Sequence, residues 1–332
     1  MSQVTIKDIA KALGTSTSTV SRALRDSYEI NEETKTKILN YAKSVKYSPN
    51  PIALSLKENK SHSIGIIVPE IANYFFSEVI NGIDSVAYAH GYHVVTFQSH
   101  ESYEREISNV QHVLSRKADG LIMSLSSKTN DFEHLHQAMD DGFPIIFFDR
   151  VPPIDNVYKV VSDNFEGAYK ATEYLLSKGK KRIAHITSPP VLSITRERLE
   201  GYKAALKHKG LTVNEELIKY CGFALDEAYQ TINDLINNHN PDSFLVCSDR
   251  LAVNCLQGIK NLKEKLPDHV EIVGYTNLKT ANLLSPALST VVQPAFEMGV
   301  KAAELLFSIL NAKNRKIPFQ TISLKNELVI RT

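Results

Sequence analysis

Apolar residues recur along this chain with two different periods, and the change between them falls near residue 60. Over the first 48 residues the spacing is helical. Ile6, Ile9, Ala10 and Leu13 share one face of a segment that Thr5 and Asp8 open as a capping box, with Asp in place of the usual Glu. Gly14 closes that segment, since glycine accepts the positive φ common at helix ends. Ser16 then caps a second short helix, with Val20, Ala23 and Leu24 facing inward and Thr17, Ser18, Ser21 and Arg22 outward. Asn31, Glu32 and Glu33 begin a third, with Ile38, Leu39 and Ala42 inside and Lys35, Lys37, Lys43 and Lys46 outside. Pro49 stops it, and Asn50 and Pro51 start only about one and a half further turns, too few to be stable alone.

From residue 63 short apolar runs alternate with amphipathic helices. Strands are expected over 64–68, 93–97, 120–123, 144–148, 182–186, 244–247 and 271–274. Helices are expected over 75–90, 104–117, 132–140, 166–177, 196–209, 227–237 and 251–262. Continuous apolar strands alternating with helices imply doubly wound parallel sheets, and two such series imply two lobes. Ligands bind beyond the carboxyl ends of strands in such sheets, which selects residues 69–76, 124–128, 149–150, 187–198, 248–249 and 275–277. Neither a Walker A motif nor G-x-G-x-x-G occurs, so no cofactor is expected.

The 332 residues suffice for two or three cores, and 43% hydrophobic with 23% charged residues excludes wholesale disorder. The net charge of +1 conceals an asymmetry: residues 1–60 hold ten Lys/Arg against six Asp/Glu, leaving 28 against 31 in the remainder. A basic module on a mildly acidic body suits a polyanionic partner. Cys221, Cys247 and Cys255 are too few and too irregular for a disulfide framework. With no apolar leader and no long apolar run, a cytoplasmic protein without membrane contact is expected. His134 and His136 would face different sides of a helix, which argues against a shared metal, and His185 reads as a satisfied core residue. No nucleophile motif is present, so an enzyme is not expected.

Two short helices joined by a glycine turn make a helix-turn-helix, whose second helix can enter the major groove. Its small hydroxyls permit close approach, and Arg22 can reach a guanine edge or a phosphate. On spacing alone, an ordinary three-helix packing module also fits.

The run Thr5-Ile6-Lys7-Asp8-Ile9-Ala10-Lys11-Ala12-Leu13-Gly14, followed by Ser16 to Leu24, resembles the headpiece of the lactose-repressor (LacI/GalR) family almost position by position. That resemblance implies that Thr17, Ser18 and Arg22 meet base edges, while Thr5, Ser16, Thr19, Ser21 and Asn31 mostly hold phosphate. Tyr47 to Lys57 resembles the family's hinge helix, which pairs between two subunits over the minor groove. Leu56 then corresponds to the wedge between base pairs, and Tyr47, Asn50 and Ala53 join the DNA-binding set. Leu54 stands where relatives usually carry Arg. Further segments, including Phe148-Asp149-Arg150, Arg198 to Tyr202 and Ser248-Asp249, look like the family's effector-binding core, a fold similar to periplasmic sugar-binding proteins.

The resemblance implies that Phe76, Asp149, Arg198 and Asp249 line an effector cleft, with Thr276 where sugar- and purine-binding relatives usually carry Asp. Other readings remain beside these: Asp149 could pair with Arg150 or cap a helix, Phe76 could be plain core, and Asp249 could cap the following helix. The domains implied are a headpiece over 1–48, a hinge over 49–61 and an effector and dimerisation domain over 62–332. Within the last, one lobe spans about 62–161 and 291–322, the other about 162–290 and 323–332. The expected protein is a homodimeric regulator, more readily a repressor, of a pseudo-palindromic double-stranded operator. A sugar or sugar derivative would control it, by releasing DNA or by strengthening its binding. No leucine-heptad tail follows Thr332, against tetramerisation. The competing reading, a soluble small-molecule receptor without a DNA role, requires the headpiece match to be coincidental.

Overall fold

The computed structural model describes residues 4–25, 27–48, 60–222, 225–261, 270–276, 278–285, 287–312 and 317–331. The chain divides into two compact units, Met1–Ser61 and His62–Thr332.

The first unit is built on helices α1 (Ile6–Ala12), α2 (Thr17–Ala23) and α3 (Glu32–Ser44). Each begins where its sequence supplies a cap. The Thr5 amide donates to Asp8 Oδ2 at 2.9 Å and the Asp8 amide to Thr5 Oγ1 at 3.4 Å, the reciprocal pair of a capping box. Ser16 Oγ accepts from the Thr19 amide at 3.0 Å, and Asn31 Oδ1 from the Thr34 amide at 2.8 Å. Gly14 has φ +61°, which turns the chain between α1 and α2. Ile9, Val20, Ala23, Ile38 and Ala42 form the core. Two expectations fail on α3. Leu39 is 42% exposed, because it lies one helical step off the face of Ile38 and Ala42. Lys35, one turn before Ile38, lays its stem along that face with its side chain only 17% exposed and its ammonium 3.4 Å from Glu32.

The second unit holds two six-stranded sheets. One contains β1 (Ser63–Val68), β2 (His93–Gln98), β3 (Gly120–Met123), β4 (Ile145–Phe148), β5 (Tyr158–Ser162) and β11 (Thr321–Leu324), in the order 11-5-4-3-1-2. The other contains β6 (Ile183–Thr187), β7 (Ile218–Tyr220), β8 (Ser243–Val246), β9 (Glu271–Thr276), β10 (Ser289–Val292) and β12 (Glu327–Val329), in the order 12-10-9-8-6-7. Pairing is parallel throughout except where β12 runs antiparallel to β10. The chain therefore passes between lobes after Ser162, Val292 and Leu324.

Helices α4 (Tyr74–Ala89), α5 (Tyr103–Ser115), α6 (Glu133–Asp140) and α11 (Ala295–Leu310) cover the first sheet, and α7 (Asn164–Ser177), α8 (Ser193–His208), α9 (Leu225–Asp234) and α10 (Asp249–Asn261) the second. The periodic pattern located most of these within two or three residues, but β5, β7, β10, β11, β12 and α11 were not anticipated. Among the described residues, no helix is long and apolar enough to cross a membrane.

In each lobe the helix after the first strand packs against a crossover helix at backbone distance. A Cβ on Gly82 of α4 would sit 2.1 Å from the Phe296 carbonyl oxygen of α11, and one on Gly201 of α8 would sit 2.2 Å from the Phe165 carbonyl oxygen of α7. Neither neighbour is a flexible side-chain end. His185 of β6 is fully buried and stacks on Tyr202 at 4.8 Å, with Nε2 3.8 Å from Cys247 Sγ. It is core, as expected, but not satisfied: Nδ1 has no hydrogen-bond partner among the described residues. Burial, and then the charges of Arg198 and Lys203, push its pKa down to about 3.

Gly82→Ala and Gly201→Ala are each expected to cost roughly 1–3 kcal/mol by overpacking, read as a lowered midpoint in urea unfolding; an unchanged midpoint would contradict the close approach. The unfolded chain protonates His185 below its ordinary value of 6.5, whereas the folded chain resists until about 3. Stability contributed by the neutral ring is therefore complete above pH 6.5 and is lost as pH falls from there toward 3, on the order of 1 kcal/mol per pH unit. Unfolding titrations of wild type and His185→Leu check this, since the substitution removes that part of the slope.

Candidate nucleic-acid interface and ligand cleft

On the first unit, α2 carries the polar face that its sequence implies. Thr17, Ser18 and Arg22 are exposed, and Thr19 and Ser21 half-buried. Ser16 Oγ lies 2.7 Å from Ser18 Oγ and 2.8 Å from Thr19 Oγ1, so the hydroxyls form one cluster at the helix N-terminus. Beside them is a depression of about 340 Å3 lined by Ser18, Ser21, Arg22, Arg25, Ser27 and Glu29. Arg22 Nη1 is 3.0 Å from Glu29 Oε2. Arg25 folds onto its own helix, donating from Nε to the Ser21 carbonyl at 3.2 Å and from Nη2 to Ser21 Oγ at 2.7 Å.

Sequence reasoning did not single out Arg25, Ser27 and Glu29, although the charge pattern of this segment was the available signal. Thr5 and Asn31, expected to hold phosphate, are helix caps here, and Tyr47 packs partly buried against the headpiece core. Burial raises the Tyr47 phenol above its ordinary value. Asn50, Ala53 and Leu56, with the rest of the expected hinge helix, lie outside the described residues.

In the second unit, Phe76, Asp149, Arg198 and Thr276 converge from both lobes on one cavity of about 30 Å3, which Arg150, Ser248 and Gln293 also line. A neighbouring opening of about 420 Å3, bordered by Glu70, Asn73, Tyr74, Asn254 and Thr276, leads outward. Lys279 of one lobe crosses its rim to α4 of the other, with Nζ 4.8 Å over the Tyr74 ring and 3.8 Å from Glu78.

Phe76 is buried edge-on to Phe148 at 6.2 Å, with the Arg150 guanidinium 5.7 Å from its ring centre. Asp149 follows β4 with φ +57°, and Thr276 ends β9 with φ +99°. Positive φ is costly for side chains with a Cβ, most of all for a branched one, and such strain gathers at binding sites. Burial pushes the Asp149 carboxyl above its ordinary value, against the pull of Arg198, Arg150 and the hydrogen bond from Gln293 Nε2 at 3.3 Å. Arg150, the alternative partner for Asp149, directs Nη1 elsewhere. Its Nη1 lies 2.8 and 3.0 Å from the two oxygens of Glu101, which also accepts from the Ser127 amide at 2.7 Å. Burial opposes charge on Glu101, but Arg150 and Ser127 outweigh it and hold the carboxyl below its ordinary value. Buried Glu106 accepts from the Ser126 amide at 2.7 Å and from Thr129 Oγ1 at 2.9 Å, so two carboxylates pin the loop after β3.

Arg198 is 2% exposed. Nε donates to Asn164 Oδ1 at 2.9 Å, Nη1 donates to the Cys247 carbonyl at 2.8 Å, and the guanidinium lies 3.9 Å over the Tyr275 ring. Asn164 Nδ2 donates in turn to Glu197 at 2.8 Å. Asp249 begins α10 next to Ser248, but its side chain lies outside the described residues. Gln293 and Asn164 were not named as site residues, although Gln293 directly follows β10 and Asn164 lies two residues beyond β5. His134 Nε2 sits 3.2 Å from Glu106 while His136 is exposed. Among the described residues, no group of three His, Cys, Asp or Glu is placed to hold a metal ion.

Comparison with known proteins agrees with both halves. Residues 5–50 match the family described as bacterial regulatory proteins, lacI family, and residues 61–327 match periplasmic binding proteins and sugar binding domain of LacI family. The chain is 30% identical over 313 residues to the HTH-type transcriptional repressor PurR of Vibrio cholerae serotype O1 (strain M66-2), covering 94% of this chain and 93% of that protein. It is also 30% identical to the PurR repressor of Histophilus somni (strain 2336), covering 98% of each. The fold matches the Lac repressor dimer bound to operator and the anti-inducer ONPF with a TM-score of 0.86, at 22% identity and covering 99% of this chain and 98% of that one. The chain therefore belongs to the LacI family of DNA-binding transcriptional regulators, with a helix-turn-helix headpiece joined to a two-lobed effector-binding core.

Proposed function

We propose that this regulator acts in the cytoplasm as a dimeric repressor and works through binding equilibria rather than catalysis. The exposed face of α2 reads each half of a pseudo-palindromic operator. A small hydroxylated ligand, a sugar or sugar derivative, controls it from the cleft between the lobes. The observation that carries the proposal is the convergence of Phe76, Asp149 and Arg198, from both lobes, on one strained and buried cavity. A ligand that bonds groups of both lobes favours one lobe arrangement by its differential affinity, which is the thermodynamic content of an effector. A guanidinium with neutral partners and a carboxyl of raised pKa supply donors and acceptors for hydroxyls, and the Phe76 ring supplies an apolar wall. Thr276 adds a hydroxyl but no charge, so charged recognition falls to Asp149 and Arg198, with Asp249 beside Ser248 as a further carboxylate of the proposed site. The relatives named PurR are repressors, and the Lac repressor structure holds operator as a dimer, which supports the same arrangement for this chain.

On the DNA side, Thr17, Ser18 and Arg22 take the base edges, and Ser16, Thr19 and Ser21 the phosphates. The remaining hinge positions, Asn50, Ala53 and Leu56, complete the contact in this proposal.

A duplex that wild type enriches from a random-sequence pool provides the DNA probe. Its affinity is expected to fall steeply with salt, as phosphate neutralisation requires, and a flat salt response would overturn the DNA role. Arg22→Ala is expected to weaken that duplex by roughly 1–3 kcal/mol and to narrow discrimination against a scrambled one; unchanged discrimination would remove Arg22 from base reading. A thermal-shift screen of sugars, sugar phosphates, nucleosides and purines identifies the effector, since a ligand bound only by the native state raises the melting temperature. Arg198→Ala is expected to abolish that shift while operator binding persists. A persisting shift would displace Arg198 from the site.

A further inference from the structure

We propose that Glu29 is an intramolecular counter-ion for the base-reading guanidinium: it holds Arg22 until a matched duplex replaces it, and so limits how tightly the headpiece grips DNA of the wrong sequence. The inference rests on the reading that Arg22 contacts DNA.

Arg22 and Glu29 are seven residues apart, too far for an i,i+4 pair on one helix, so their 3.0 Å approach depends on the path of the connector. The Arg25 and Ser27 amides both donate to the Arg22 carbonyl at 3.1 Å, which folds the chain back over the end of α2. The Ile30 amide donates to the Ser27 carbonyl at 3.3 Å, and Ile30 packs against the headpiece core. The carboxylate is thereby brought to the guanidinium by a backbone fold that is itself anchored.

The depression beside them holds two guanidiniums and one carboxylate. Arg25 is taken up by Ser21, and Arg22 by Glu29. Both members of the ion pair keep about half of their side-chain surface, 56% and 45%. Ion pairs exposed to this degree are weak, which is the property a displaceable partner needs. A guanine edge offers two acceptors in the geometry of the guanidinium fork, and it can replace the carboxylate. A mismatched duplex does not present that edge in register with Arg22. Arg22 then stays on Glu29, and one fewer counterion leaves the DNA.

The test is a double-mutant cycle on the full chain, by fluorescence anisotropy across about 50–200 mM salt. The probes are the duplex selected by wild type and a scrambled duplex of equal composition. E29Q is expected to bind the scrambled duplex roughly 3- to 10-fold tighter, with a salt slope steeper by about one. The selected duplex should gain less, so discrimination falls. In the Arg22→Ala background the same substitution should leave scrambled binding nearly unchanged. An equal gain in that background would show that Glu29 acts alone by repelling phosphate, and would overturn the proposal. So would unaltered scrambled binding by E29Q. Glu29→Ala repeats the measurement without an amide that could itself bond Arg22, and matching melting temperatures confirm an intact headpiece. If wild type enriched no duplex, the operator reading itself would fall; enrichment without coupling removes only the role of Glu29.

Discussion

A guanidinium taken out of water keeps its charge, so its donors must be met within the protein. That constraint organises the second unit around Arg198. Its partners come from the start of α7, the residue after β8 and the ring of Tyr275 on β9. Asn164 of α7 is reached just after the chain first passes between lobes. Gln293 stands at the second passage, donating at 2.9 Å to Ser162 and at 3.3 Å to Asp149. Asn326 stands at the third, donating at 2.9 Å to the Asp163 carbonyl and at 3.2 Å to the Tyr275 hydroxyl. The first two passages are thus tied by side-chain amides to Arg198 and Asp149, and the third to Tyr275, whose ring lies against Arg198. A change in lobe angle cannot leave Arg198 and Asp149 untouched.

The headpiece uses an arginine in the opposite way. Arg22 is exposed, its partner is a carboxylate in solvent, and their attraction is screened by salt. Exposure lets one guanidinium exchange partners, whereas burial holds the other at a fixed position. Under the proposed function, Arg22 serves the reading of a polyanion and Arg198 the grip on a small molecule.

Much of this was legible in the sequence because local chemistry dictates it. Thr5, Ser16 and Asn31 cap the helices they precede, Gly14 turns where expected, and the apolar runs of β1, β3, β4 and β8 are buried along their length or nearly so. The strand-end rule selected ranges that contain Phe76, Asp149, Arg198 and Thr276, the family resemblance singled those four out, and they line one cavity. What escaped depends on tertiary context. β7 and β12 have three residues each, too few to show a period, and β11 alternates in burial at the edge of its sheet. Arg150 sits next to Asp149 in sequence, yet a residue 49 positions away takes its charge. Glu29 gains its meaning only once the connector has folded back. The exposure of Leu39 shows the limit of helical periodicity at a face boundary.

The cavity at the centre of the cleft has a further consequence. Small-molecule pockets run to roughly 300–1,000 Å3, and the space among Phe76, Asp149 and Arg198 is about 30 Å3. A ligand the size of a sugar is larger than that space, whereas the neighbouring opening of about 420 Å3 is of the right order. The contact of Lys279 with Tyr74 and Glu78 joins the two lobes beside it. Where a ligand requires a more open arrangement of the lobes, observed affinity is the affinity of that arrangement multiplied by the fraction of molecules that adopt it. In that case residues that tie the lobes together without touching a ligand shift its apparent affinity.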